Sequence, residues 1–86
     1  MRVAVDISLY PLADEFLDPI RDVIARLNTH ASLEVRTNPM STQIVGEYDE
    51  VMSALQREIR GTFEAVPKAV FAIRILNNPM AGEAET

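Results

Sequence analysis

Hydrophobic side chains take every second position at the start of the chain. Val3, Val5, Ile7 and Leu9 alternate with Arg2, Ala4, Asp6, Ser8 and Tyr10. A period of two over this length predicts a strand buried on one face, and Pro11, which has no N–H for a ladder, predicts its end. The period then lengthens. Phe16, Ile20, Val23, Ile24 and Leu27 recur at helical spacing, with Arg21, Asp22 and Arg26 off the stripe. Asp14 or Asp18 is placed to start this helix. Asp18-Pro19 reads as an N-cap followed by proline at the first helical position, and Asn28-Thr29-His30 closes it. Alternation returns from Leu33 to Thr37. Asn38-Pro39 predicts a turn, because the residue before proline is pushed out of the helical region. Met40 to Val45 then predicts a third strand, joined to the second as a hairpin. Gly46 punctuates the run, and the acidic residues Glu47, Asp49 and Glu50 open a second helix that continues to about Phe63. Its stripe is Val51, Met52, Leu55, Ile59 and Phe63; Gln56, Arg57, Glu58 and Arg60 form the solvated face, and Gly61 weakens the last turn. After the break at Val66-Pro67, Ala69 to Leu76 alternates once more. Phe71, Ile73 and Ile75 lie on one face, and Val70, Ala72, Arg74 and Leu76 on the other.

The order βαββαβ predicts an α+β, ferredoxin-like domain over residues 1–78: a four-stranded antiparallel sheet with both helices on one face. Right-handed crossovers predict strands one and three as central, parallel neighbours, with the fourth antiparallel to the first. Residues 79–86, rich in Ala, Gly and Glu, predict a flexible tail. The helices should cover Val3, Val5, Ile7, Leu9, Phe71, Ile73 and Ile75. The opposite face presents Ala4, Asp6, Ser8 and Tyr10 beside Val70, Ala72, Arg74 and Leu76, with Val45 joining them, and nothing in this chain is left to cover it. Such a face is too apolar to stand in water, so the expected partner is a second copy, in a homodimer or tetramer. A chain of 86 residues buries little surface alone, which strengthens that expectation.

Charge removes several classes of function. The net charge of −5 argues against nucleic acid, whose binding rests on neutralising phosphates with Lys and Arg. There is no cysteine, so disulfides and thiolate chemistry are excluded. No apolar run approaches the ~20 residues of a membrane span, and the alternating N-terminus with Asp6 is unlike a signal peptide. No membrane role and a cytoplasmic location are expected. With three glycines there is no phosphate-cradling loop. No metal-ligand cluster and no nucleophile–base set is visible, so neither a cofactor nor catalysis is expected.

The polar residues that need an explanation are few. Ser41, Thr42 and Gln43 are adjacent in a run of β type, where at least one faces inward or sits at a bulge and requires a partner: backbone, water or a ligand. Asp6, Ser8 and Tyr10 lie in one row of the first strand. Each has an ordinary alternative. Asp6 can pair with Arg74 across strands, Tyr10 can be an interface aromatic, the hydroxyls can satisfy a turn, and Asn38 can support its own turn. His30 has no partner at a recognised spacing and is expected in solvent at a helix end.

Three segments carry a resemblance: Ile7-Ser8-Leu9-Tyr10-Pro11-Leu12; Thr37-Asn38 with Met40-Ser41-Thr42-Gln43-Ile44; and Gly46-Glu47-Tyr48-Asp49. Together they resemble the thiamine-binding, YkoF-like family, in particular its short single-domain members, over about Arg2 to Asn77. The resemblance implies a ferredoxin-like fold assembled by sheet packing into dimers or tetramers, and binding of thiamine or its hydroxymethylpyrimidine half. On that basis the ligand is expected on or beside the open sheet face of the oligomer, where Asp6 would accept from its amino group and Tyr10 would contact its ring. Ser8, Ser41, Thr42 and Gln43 would supply further hydrogen bonds, with Asn38 at the turn and Arg74 holding Asp6. Two other readings stay open: an ACT-like regulatory or assembly module with a different ligand or none, and a small enzyme of the dimeric α/β-barrel kind, for which Asp6 is the only candidate acid.

Overall fold

The computed structural model describes residues 1–79. Six elements follow one another: β1 (Arg2–Pro11), α1 (Leu17–Leu27), β2 (Glu34–Thr37), β3 (Thr42–Glu47), α2 (Tyr48–Ala65) and β4 (Ala69–Asn77). The strands form one antiparallel sheet in the order β2-β3-β1-β4. The architecture is the expected ferredoxin-like α+β one. Most of the predicted tail, residues 80–86, lies outside the described residues.

The central pair needs a correction. β1 and β3 are neighbours but antiparallel, with Val5 opposite Ile44 and Asp6 opposite Gln43. The crossover through α1 makes β2, not β3, run parallel to β1. The tight turn then reverses the chain, and β3 inserts between them. β4 lies antiparallel on the other side of β1, with Asp6 opposite Arg74.

The core is one cluster between sheet and helices. It joins Val3, Val5, Ile7 and Leu9 of β1 and Ile44 of β3 to Val23 and Leu27 of α1 and Val51 and Leu55 of α2. Each fully buried aliphatic side chain contributes about 1.5–3 kcal/mol by its removal from water. Gly46 does not end β3. It sits within it opposite Val3, where a Cβ would stand 2.7 Å from Leu33 Cδ2 and 3.3 Å from Val51 Cγ2. The missing side chain lets the loop before β2 and the start of α2 close on the sheet. The helices cover Phe71 and Ile73 but leave Ile75 half exposed, and Val70 and Leu76 stand exposed on the uncovered face. Phe63, also half exposed, packs at a tilt against Phe71 with ring centroids 5.6 Å apart.

Element ends differ from the pattern for local reasons. α1 has Phe16 at its N-cap, with no side-chain cap bond, and Asp18 lies within the first turn. A carboxylate there still favours the positive end of the helix dipole. α2 runs two residues past Phe63, through Gly61, to Ala65. β3 begins at Thr42 rather than Met40, because the amides of Met40 and Ser41 both donate to the Asn38 side chain.

Glu58 and His30 were expected in solvent, and neither is there. Glu58 is 5% exposed. Arg26 Nε donates to its Oε1 at 2.8 Å, and His30 Nε2 lies 2.7 Å from its Oε2. Arg26 Nη2 also donates to Thr62 Oγ1 at 2.8 Å and to the Glu58 carbonyl at 3.2 Å. The network fastens the C-terminal end of α1 to α2. Burial pushes the Glu58 carboxyl up, but the bonds from His30 and Arg26 outweigh it and hold the group below its ordinary value.

Candidate functional site

β1 has ten residues and β3 has six. Their ladder stops at Ile7 opposite Thr42. The ladder to β4 continues past it, through Ser8 opposite Ala72 and Tyr10 opposite Val70 to Pro11 opposite Ala69. From Ser8 onward β1 therefore has a strand partner on its β4 side alone. Its other edge faces the β2–β3 turn.

That turn is built by Asn38. Its Oδ1 accepts from the N–H groups of Met40 at 2.8 Å and Ser41 at 3.0 Å, and its own N–H donates to the Ser41 carbonyl at 3.0 Å. An asparagine followed by proline suits this geometry, because the side chain imitates a backbone turn. Ser8 Oγ reaches the Met40 carbonyl at 3.4 Å, a long contact that ties the turn to the free edge.

A cleft of about 220 Å³ lies between the free edge of β1, the turn and the apolar stripe of α1. Ile20, Val23 and Ile24 form one wall, and Ile7, Leu9 and Phe71 line it from the sheet. The polar lining is Ser8, Tyr10, Thr37, Asn38, Ser41 and Thr42. Thr42 is buried, and its Oγ1 lies 3.0 Å from Thr37 Oγ1. Among the described residues, no side chain that lines the cleft carries a formal charge. A half-open, mainly apolar cleft with a few hydroxyl and amide groups suits a small uncharged ring with donors and acceptors on its edge.

The second polar group lies on the uncovered face of the sheet. There Arg36, Gln43, Asp6 and Arg74 stand in one row across all four strands. Arg74 Nε donates to Asp6 Oδ2 at 3.0 Å and Nη2 donates to the same oxygen. The neighbouring Ser41 hydroxyl and the Arg74 guanidinium hold the Asp6 carboxyl below the usual carboxylate range. Of the two, Arg74 is the contact with complete hydrogen-bond geometry, and the other oxygen, Oδ1, is enclosed without a hydrogen-bond partner.

The structure thus divides the residues singled out in the sequence. Ser8, Tyr10, Asn38, Ser41 and Thr42 come together at the cleft. Asp6, Gln43 and Arg74 come together in the open-face row, and none of the three lines the cleft. Asn38 supports its own turn, as its sequence context predicts, and lines the cleft as well. Sequence reasoning missed Thr37 and the apolar walls. The stripe of α1 was visible, but only as core; the difference in strand length that opens the space carries no pattern. Among the described residues there is no cluster of His, Cys, Asp and Glu arranged to hold a metal ion. No described helix is long and apolar enough to cross a membrane.

Comparison with solved structures gives the same fold. A hypothetical protein from Methanocaldococcus jannascii superimposes with a TM-score of 0.77 at 21% identity, over 98% of this chain and 93% of the other. A proposed thiamine biosynthesis/salvage protein from Thermotoga maritima matches with a TM-score of 0.68 at 17% identity, over 100% of both chains. A domain of unknown function, DUF77, from Bacillus cereus matches with a TM-score of 0.66 at 18% identity, over 92% of this chain and 78% of the other. Identities this low establish the shared fold. A search of curated proteins gave no match. The profile of the family described as thiamine-binding protein, however, matches residues 5–84, nearly the whole chain. By that match this chain belongs to the thiamine-binding protein family, which supports a thiamine-related binding role.

Proposed function

We propose that the protein is a non-catalytic binder of thiamine or of a related pyrimidine such as hydroxymethylpyrimidine, and that the cleft beside the free edge of β1 receives the pyrimidine ring. The observation that carries this reading is the cleft itself: apolar walls from α1 and Phe71 facing a strand edge without a ladder partner and the hydroxyls of Thr37, Ser41 and Thr42. A cavity of roughly 150 Å³ is known to hold a benzene ring. The 220 Å³ here suits one substituted six-membered ring. The aminopyrimidine half of thiamine would sit inside, and the thiazolium half would extend through the mouth beside Met40 and Tyr10. The backbone groups of the free edge and the hydroxyls offer donors and acceptors to the ring nitrogens and the amino group. Tyr10 or Phe71 offers a ring face.

The open face fits a second copy of the chain. Tyr10, Val70 and Leu76 are all about half exposed there, and the row through Asp6 and Arg74 would lie within or at the border of a face-to-face sheet contact. We read the working form as a homo-oligomer, a dimer or tetramer, in the cytoplasm.

Calorimetric titration of thiamine and hydroxymethylpyrimidine tests the ligand, with Asp6→Asn beside the wild type. Binding by both proteins with affinities within about twofold places the site in the cleft alone; a loss of about tenfold in the variant extends it around the edge of β1 to the open-face row. No binding of either compound at millimolar concentration removes the reading. Sedimentation tests the assembly. A wild-type monomer of 9.6 kDa at micromolar concentration defeats the oligomer, and Ala72→Glu should dissociate it by burying an unpaired charge.

A further inference from the structure

We infer that Asp6 is a positioning residue of the cleft: its carboxylate holds the β2–β3 turn against the free edge of β1 through the hydroxyl of Ser41, and does not itself touch the ligand. The inference rests on the pyrimidine site proposed above. It gives a role in that site to a side chain outside the cleft.

Asp6 stands between two neighbours on the uncovered face. β4 brings Arg74 opposite it on one side, and β3 brings Gln43 on the other. Arg74 takes only one of the carboxylate oxygens, Oδ2. The second, Oδ1, is enclosed and has no hydrogen-bond partner. An enclosed carboxylate oxygen is costly unless a donor reaches it. Gln43 is exposed, so solvent competes for its amide. The Ser41 hydroxyl is the donor at hand. The ladder pairs Ile7 with Thr42, so its next step sets Ser41 beside Ser8, on the face that carries Asp6. That hydroxyl neighbours the carboxylate and, with Arg74, holds it below the usual carboxylate range. The group is therefore an anion, and an acceptor only, at neutral pH.

Ser41 is also the residue through which the turn is fixed. Its N–H donates to Asn38 Oδ1 at 3.0 Å, and its carbonyl accepts from the Asn38 N–H at 3.0 Å. Asn38, Pro39, Met40 and Ser41 line the cleft together, so whatever holds Ser41 holds that wall. Among the described residues, the other hydrogen bonds from this wall to β1 are few. The ladder ends at Ile7 and Thr42, and Ser8 Oγ meets the Met40 carbonyl only at 3.4 Å. A bond from the Ser41 hydroxyl to an ionised carboxylate is charge-assisted and stronger than that contact. Arg74 keeps the carboxylate oriented for it, because two of its N–H groups meet Oδ2 from the β4 side. Asp6 itself is absent from the cleft lining. Its route to the ligand runs through the turn.

The test is a double-mutant cycle on the full chain, read by isothermal titration of thiamine and of the uncharged hydroxymethylpyrimidine. Asp6→Ala and Ser41→Ala should each weaken binding about fivefold, and the double variant should be no weaker than either single one. Ser41→Thr keeps the hydroxyl and should bind within about twofold of wild type. Hydrogen exchange in the free protein supplies a structural readout. The amides of Met40 and Ser41 should exchange about tenfold faster in both alanine variants, with those of Val3 to Ile7 unchanged. Ser41→Ala removes one oxygen from a turn, so with Ser41→Thr it carries the test even where Asp6→Ala lowers stability. Single effects that multiply to about 25-fold in the double variant would mean that Asp6 meets the ligand directly; they would overturn the inference and leave the pyrimidine site standing. Single variants within about twofold of wild type would overturn it as well. So would a loss in Asp6→Ala confined to thiamine, which would reduce Asp6 to a distant charge. Failure of both compounds to bind the wild type would remove the site and the inference together.

Discussion

Two polar clusters in this molecule differ in composition and in closure. Between the helices, Glu58, Arg26, His30 and Thr62 are bonded to one another, each charge has a partner, and Glu58 is nearly fully buried. At the end of the sheet, the turn and the free edge of β1 bring hydroxyls, an amide and unpaired ladder positions around an apolar space. A closed network of the first kind fixes one packing of two helices and has nothing left to offer a ligand. An open one of the second kind retains donors and acceptors. What separates them functionally is whether the partners are already present.

The comparison is broken most strongly by Glu58→Ala. Removing the carboxylate leaves Arg26 and His30 facing each other between the helices. Loss of one partner of a buried pair costs about 3–5 kcal/mol, and the lower figure applies because Arg26 is one-third exposed. Urea unfolding should show that loss, while affinity for pyrimidine ligands stays within about twofold. The same carboxylate sets a pH dependence. Its folded pKa lies below its ordinary value of 4.5, so its stabilisation is present above that value and is lost as pH falls through the folded one. Unfolding curves collected downward from neutral pH should show wild-type stability declining below about 4.5. Glu58→Gln should flatten that decline.

Thr42→Val is the reverse case. It keeps the shape of a buried side chain and removes the hydroxyl bonded to Thr37. Stability should change by about 1 kcal/mol or less, and ligand affinity should fall about five- to tenfold if the hydroxyl pair contacts the ring. A variant with normal affinity would restrict recognition to the edge of β1 and the turn. The smallest effect sharpens the contrast from the other side. A Cβ on Gly61 would meet the Arg26 guanidinium at 3.6 Å, an ordinary contact. Gly61→Ala should therefore raise stability by about 0.5–1 kcal/mol through helix propensity, with no change in binding by titration.

Much of the fold was legible from periodicity, because the strands and helices are half-buried and their apolar positions report directly on the core. Val3, Val5, Ile7 and Leu9 are all buried as the alternation requires. What escaped were relations between distant segments. Glu58 lies on the polar side of its helix by pattern and becomes buried only because Arg26 and His30, 32 and 28 residues away, meet it there. Gly46 reads as a break, but it marks a close approach of Leu33 and Val51. At the site, the serines and threonines were identifiable as polar groups in need of partners. That five of the eight chosen positions would gather at the cleft, and Asp6, Gln43 and Arg74 in a separate row, depended on strand register. Register is set by where the Asn38 turn ends β2, which side-chain pattern alone does not give.

The unequal length of β1 and β3 also has a kinetic consequence. Amide protons of β1 that point toward β3 are held in ladder bonds up to Ile7. Beyond it, those that point to the same side face the cleft, while their neighbours toward β4 remain bonded. In deuterium oxide, protection along Ser8 to Tyr10 should therefore alternate from one residue to the next, within a strand that is otherwise among the slowest to exchange. A ring seated against that edge would abolish the alternation, so the strand itself can record occupancy of the site, one proton at a time.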